Sequence, residues 1–306
     1  MILDKDKERK NKRNSLFLFM ESIIQQFKEQ GKERRVETYT TTLNSYRRFR
    51  EQKDILLKAM DKEEIGAYET FLKRKGLSMN TISFYMRNLR AVYNRAVDDD
   101  LIVQKHPFKH VYTGQEKTKK RALCLLDIKR IKALDLSHHP SLEYARDLFM
   151  LSFYLRGMSF VDMAYLEKTN IKNGILFYRR KKTGQQLTVK WEPCMTEILD
   201  KYHLPYSSYI LPIIRSEKTS RRDYTNASHL INKKLKEIGQ ALHLSIPLTM
   251  YVARHSWASI AKDKHIPLAI ISEGLGHDSE RTTLIYLNSL DTSKIDKANS
   301  VILHSL

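Results

Sequence analysis

The sequence predicts a mainly α-helical protein with one small β-hairpin, divided into two domains. Three observations predict this. Apolar residues recur with a helical period along most of the chain. Glycine and proline number only 10 and 7 in 306 residues, which leaves little room for long flexible connections. One stretch, 174–191, instead alternates in twos about a Thr-Gly-Gln turn. The basic, glycine-bearing stretch 113–121 breaks the helical pattern and reads as a linker between an N-terminal block, 1–112, and a C-terminal block, 122–306.

In the N-terminal block Ser15 is a candidate N-cap for a helix over 15–30, with Leu16, Phe17, Phe19, Met20, Ile23, Ile24 and Phe27 on its apolar side and Gly31 ending it. Residues 36–50 follow as a second helix, with Tyr39, Leu43, Tyr46 and Phe49 on one face. Residues 62–75 form a third helix, stopped at Gly76, and Ser78 caps a longer one running to Val97. The last buries Ile82, Tyr85, Met86, Leu89, Val92, Tyr93 and Ala96 and turns Arg87, Arg90 and Arg95 outward. Such amphipathic segments pack as a bundle with a basic exterior.

Past the linker, Asp127 is read as the cap of a short helix and Ser141 as the cap of 142–156, whose apolar density implies burial. The hairpin 174–191 comes next, followed by a short helix from Pro193, irregular chain over 203–223, and a helix opened by Thr225 or Asn226. Thr249 caps a helix with Val252, Ala253, Trp257 and Ile260 inward and Arg254 outward. Residues 267–276 form a short apolar helix whose Gly276 cap exposes His277. Thr282, Thr283, Ile285 and Tyr286 lie on a further helix, and an amphipathic tail spans 291–306.

The formal net charge is +19 and the pI about 9.7, an excess that points to a polyanion, most simply a phosphate backbone. No apolar run approaches the ~20 residues of a spanning helix. The charged N-terminus lacks an apolar signal core, so a cytoplasmic, nucleoid-associated protein is expected. The two cysteines, Cys124 and Cys194, form no Cys-x-x-Cys pair; a zinc site is not expected, and both read as buried apolar residues.

Three pieces of the C-terminal block converge on one chemistry: Tyr251-Val-Ala-Arg254-His255, then Leu275-Gly276-His277, then Tyr286. In order and spacing they resemble the tyrosine recombinases, the phage-integrase family, in which a His-x-x-Arg-His box leads to Leu-Gly-His and a nucleophilic tyrosine. The chemistry is coherent on its own terms. A phenol, with a pKa of about 10, can form a phosphate ester and later leave. Guanidinium forks match the non-bridging phosphate oxygens, and an acid must protonate the departing 5′-hydroxyl. No metal or other cofactor is needed.

The resemblance implies an N-terminal core-binding (SAM-like) helical domain and a C-terminal α+β catalytic domain. It implies Tyr286 as nucleophile, Arg254 and His277 on the phosphate, and Lys182 as the lysine of a mobile hairpin that protonates the leaving oxygen. Lys181 is the alternative if the register shifts by one, and a DNA contact otherwise. In the bundle, Thr38, Thr40, Thr41, Arg47, Arg48 and Arg87 become candidate phosphate contacts.

Two positions depart from the family pattern. Aligning Asp162 of Arg156-Gly-Met-Ser-Phe-Val-Asp162 with the family's acidic residue places Ser159 where the first arginine belongs. A serine brings no charge, so Arg156 or Arg180 must replace the missing cation. Tyr251 stands where histidine is usual; it can donate to phosphate but is a poor base at neutral pH. The 156–162 box resembles integrases of Bacteroides-type mobile elements, and no extra N-terminal arm-binding domain is visible, so a short Xer-like or inversion-type enzyme is expected. The family resemblance also implies double-stranded DNA sites as partners, a tetramer on two sites joined through the C-terminal tail, and DNA-bending accessory proteins. The rival readings are a type IB topoisomerase-like enzyme and a catalytically weak DNA-binding relative.

Overall fold

A computed structural model of the chain describes residues 14–116, 121–202, 205–214, 221–287 and 303–304, and within them the side chains of all but Ile285 and Tyr286. The chain divides into two compact units, Met1–Thr118 and Lys119–Leu306.

The N-terminal unit is built on helices α1 (Leu16–Glu29), α2 (Glu33–Phe49), α3 (Lys62–Arg74) and α4 (Met79–Asp98). Ser15, Asp61 and Ser78 cap α1, α3 and α4 by accepting from Leu18, Glu64 and Thr81 N–H groups. The expected apolar faces form its core, and three tyrosines sit deep within it. Their hydroxyls are satisfied: Tyr46 donates to Glu64 (2.6 Å), Tyr68 to Ser45 (2.8 Å) and Tyr93 to the Val103 carbonyl (3.3 Å). Without such partners each would cost about 1–3 kcal/mol. Helix α2 starts earlier than the apolar period suggested, because Glu33-Arg34-Arg35 is a solvated first turn without an apolar signal.

In the C-terminal unit, α5 (Leu125–Ala133), α6 (Pro140–Tyr154) and α7 (Phe160–Ala164) precede a three-stranded antiparallel sheet, ordered β1 (Ile171–Lys172), β2 (Ile175–Arg179) and β3 (Gln186–Lys190). The hairpin pairs Ile175 with Lys190 and Arg179 with Gln186. Helices α8 (Pro193–Lys201), α9 (Arg221–Ala241), α10 (Met250–Asp263), α11 (Leu268–Leu275) and α12 (Glu280–Leu287) follow the sheet. Helix α6 carries the core, with Ala145, Leu148, Phe149 and Leu151 fully enclosed. Each large apolar side chain so buried contributes about 1.5–3 kcal/mol.

Several expectations require correction. Asp127 lies inside the first turn of α5, whose N-cap is Cys124, and α6 begins at Pro140 after His139 rather than at a Ser141 cap. Helix α9 starts at Arg221, ahead of Thr225; its first turn is charged and so silent in an apolar pattern. Of the two cysteines expected to be buried, Cys124 is exposed and donates to Asp127 (3.4 Å), and Cys194 is half-buried against the core. Trp257 and Ile260 are only half-buried, whereas Arg254, expected to face outward, is 5% exposed. A guanidinium is tolerated at that depth only because backbone carbonyls receive it.

Candidate active site

The site is assembled where α6, α10, α11 and the hairpin meet. Helix α6 ends in two successive residues with positive φ, Arg156 (58°) and Gly157 (72°). The Gly157 N–H closes the helix on the Ser152 carbonyl at 2.8 Å. Glycine is obligatory at 157: a Cβ there would lie 2.4 Å from the Cα of Arg254. Arg156 carries a side chain in a left-handed conformation, a strain of about 1 kcal/mol that the surrounding structure must hold. Its side chain, half-buried, runs beside Gly274 in the last turn of α11.

Arg254 donates from Nη1 to the Gly157 carbonyl (3.0 Å) and from Nη2 to the Leu275 carbonyl and to Nε2 of His277 (3.2 Å). Arg180, also buried, donates to the Gly276 carbonyl. Two guanidiniums therefore cover the C-terminal carbonyls of α11, where the helix dipole is negative. Gly276 takes a left-handed cap (φ 62°), and a Cβ there would sit 2.7 Å from Leu187 and 3.0 Å from Arg180, so the hairpin can close on it only because it is glycine. The turn delivers His277, whose Nδ1 lies 2.8 Å from the Thr283 hydroxyl. Burial first, then the charges of Arg254, Arg180 and Lys182, push the His277 pKa down to about 4, so the imidazole is neutral.

Ser159, the residue in the family's arginine position, caps α7 and donates to Asp162 (2.7 Å). The other oxygen of Asp162 accepts the Lys181 N–H (2.8 Å), which ties the hairpin to α7. Lys182 is exposed beside this anchor, and the Lys181 ammonium lies 4.0 Å over the Tyr165 ring. Tyr178, in β2, is buried among Asp162, Arg254, Arg180 and Arg156, and burial raises its pKa to about 12. Tyr251 is 53% exposed and packs edge-on against His255 at 4.6 Å. A cleft of about 400 Å³ runs between α9 and α10, lined by Gly157, Ser159, Asn232, Lys236, Tyr251 and Arg254.

Thus Arg254, Arg180, His277, Arg156, Tyr251 and Lys182 gather around one cleft and one helix end. Tyr286 lies on α12, but its side chain falls outside the described residues, as does the tail segment 291–302. In the N-terminal unit Arg47 is held by Glu21 (2.5 Å) and lies 5.1 Å over Phe17. Arg48 and Arg87 are exposed on α2 and α4, each folded back on a carbonyl of its own helix, and Thr40 is half-buried on α2. Sequence reasoning missed Gly157, Tyr178, Asn232 and Thr283 as parts of the site. Only Gly157 carried a usable signal, a glycine directly after an arginine at a helix end.

Two family models match the chain. Residues 15–113 match the phage integrase SAM-like domain, and residues 127–293 match the phage integrase family. The chain belongs to the phage integrase family. Among relatives, it is 26% identical to the tyrosine recombinase XerA of Pyrococcus furiosus, covering 70% of this chain and 72% of that one. It is 22% identical to the tyrosine recombinase XerC of Pediococcus pentosaceus, covering 87% and 91%. Solved integrases share the fold. A lambda integrase dimer bound to a COC′ core site superposes with a TM-score of 0.69 at 19% identity, covering 93% of this chain and 82% of that one. The Tn1549 transposon integrase in complex with transposon right end DNA gives 0.65 at 13% identity, covering 95% and 99%. In this phage integrase family member, no helix among the described residues is long and apolar enough to cross a membrane.

Proposed function

We propose that this phage integrase family member is a site-specific recombinase that cuts and rejoins double-stranded DNA through a 3′-phosphotyrosine link on Tyr286. The observation that carries the reading is the convergence of Arg254, Arg180 and the neutral His277 on the C-terminal turn of α11. That cationic pocket suits the developing charge of a phosphorane.

In this reading Tyr286 attacks the scissile phosphorus and the 5′-oxygen leaves, protonated by Lys182 from the hairpin. Arg254 and Arg156 hold the non-bridging oxygens. Arg156, half-buried beside Gly274, supplies the cation that Ser159 lacks, and Arg180, which donates to the Gly276 carbonyl, fixes the turn that bears His277. Tyr251 donates to the phosphate from the cleft. Arg48, Arg87, Thr40 and Lys181 contact the DNA backbone, with Arg47 joining if it is released from Glu21. The N-terminal block, 1–112, is the core-binding domain and 122–306 the catalytic domain. The tail, 291–306, docks on a neighbouring copy to build a tetramer on two sites; a solved structure of similar fold is a lambda integrase tetramer bound to a Holliday junction. The enzyme acts in the cytoplasm on mobile-element DNA.

The test is a pair of assays on one preparation. Exchange of strands between two DNA sites drawn from the sequence that flanks the gene supports the reading. Relaxation of supercoiled plasmid without exchange would make the protein a topoisomerase instead. Arg156→Ala should abolish cleavage with DNA binding retained, and normal cleavage by both Arg156→Ala and Arg180→Ala contradicts the compensation.

A further inference from the structure

Helix α9 carries Ser228, Asn232 and Lys236 at four-residue spacing, so the three share one face. That face is one wall of the cleft of about 400 Å³ that also holds Ser159, Tyr251 and Arg254. Other polar groups on these walls are already committed. Asn232 accepts the Met250 N–H on Oδ1 (2.9 Å), at the start of α10, and donates from Nδ2 to the Ser228 carbonyl (2.8 Å). The Ser159 hydroxyl donates to Asp162, and Arg254 directs its terminal nitrogens at the Gly157 and Leu275 carbonyls and at His277. Lys236 differs. It is exposed, and among the described residues its ammonium makes no hydrogen bond or ion pair. The carboxylate next to it in sequence, Glu237, is taken by Lys234 (2.9 Å). No carboxylate is found among the described residues that line the cleft.

We propose that Lys236 is a further catalytic residue: it binds the scissile phosphate from the wall facing Ser159 and stabilises the charge that the non-bridging oxygens gain in the phosphorane. This rests on the recombinase reading above. An anion that enters this cleft meets a fixed guanidinium on α10 and an uncommitted ammonium on α9, with no carboxylate to oppose it. Turning Lys236 onto a phosphate breaks no internal ion pair, and its flexible four-carbon stem with three rotatable donors suits a ligand whose place is set by other groups. Water leaves the cleft when DNA covers it, and the attraction between ammonium and phosphate then strengthens. Ser159 offers neither charge nor a hydroxyl clear of Asp162, so a cation from the opposite wall acts on the side where the family's first arginine is missing. Arg156 runs beside Gly274 of α11, so the two cations come from different helices and do not duplicate one another. Lys236 keeps its protons throughout; the leaving oxygen takes its proton from Lys182.

The experiment is single-turnover cleavage of a nicked suicide substrate by the full chain. Lys236→Ala should cut about tenfold or more slowly at saturating DNA, less than the loss of a fully enclosed donor because the lysine stands at the cleft mouth. Lys236→Arg, which keeps the charge, should recover most of that loss. Lys233→Ala, an exposed lysine on the same helix, should cut at the unsubstituted rate. A methylphosphonate at the scissile position exchanges one non-bridging oxygen for a methyl group and removes the negative charge. On that substrate the Lys236→Ala deficit should shrink to about threefold or less, because there is less charge to stabilise. With the methylphosphonate one phosphate away, the deficit should remain. Unsubstituted rates for Lys236→Ala, an equal loss in Lys233→Ala, or relief by the neighbouring methylphosphonate alone would overturn the assignment. So would a deficit that disappears on DNA with a bridging 5′-sulfur, whose thiolate leaves without an acid, since Lys236 would then be a proton donor. Absence of any covalent adduct from the unsubstituted protein overturns the recombinase reading and this role with it, whereas an adduct with no Lys236 effect removes the lysine and leaves that reading standing.

Discussion

Gly157 shows how much of the site is decided at single residues. It occupies positive φ and lies against the backbone of Arg254, so a methyl group there must push α10 away from the end of α6. Gly157→Ala should therefore destabilise by about 2 kcal/mol or more, read by urea denaturation, and should abolish cleavage. An unchanged unfolding midpoint contradicts the packing described. His277 gives a pH signature. Its folded pKa of about 4 lies below its ordinary value of 6.5, so between those values the unfolded chain binds the extra proton. Its contribution to stability is intact above about 6.5 and is lost as pH falls toward 4. The urea midpoint should thus drop more steeply over that window than in His277→Gln; identical slopes would mean that the imidazole is not desolvated. The motifs that bear Arg254, His277 and Lys182 could be read from their spacing in the sequence. The burial of Arg254 and the contact of Thr283 could not, since both depend on carbonyls and helices brought together only by the fold.

At the scale of elements, the short helix α7 and the hairpin act as one piece. Ser159 caps α7, and Asp162 takes the Ser159 hydroxyl on one oxygen and the Lys181 N–H on the other. Asp162→Ala should leave DNA binding within about twofold but misplace Lys182. Cleavage should then suffer about tenfold or more on ordinary DNA and much less on a substrate with a bridging 5′-sulfur, which needs no acid. An equal loss on both substrates would show that Asp162 serves some part other than the lysine. The hairpin itself was readable from its alternation and turn residues, and the four N-terminal helices from their caps and apolar faces. The helix α7 was not, because five residues are too few for a period. Strand β1 was hidden for the same reason, being two residues long. Helix starts at Glu33 and Arg221 escaped because charged first turns carry no apolar signal.

The whole molecule carries a net charge of +19 and two units matched by two family models. Such a chain should release many counterions on binding. If on the order of six to ten phosphates are engaged, affinity should fall about 10³–10⁵-fold between about 50 and 200 mM salt. A shallow slope in a filter-binding titration would contradict a phosphate-dominated interface. The basic stretch 113–121, where composition changes, suggested a boundary, and the compact units divide after Thr118. The contacts of the proposed tetramer were not legible beyond the family resemblance, because contacts between chains leave no period in one chain. The central claim is that Tyr286 becomes bonded to DNA, and peptide mapping by mass spectrometry after reaction with a nicked suicide site tests it most directly. The account predicts one nucleotide-bearing peptide, modified at Tyr286 and missing in Tyr286→Phe; an adduct on another residue, or none from protein that binds the site, contradicts it.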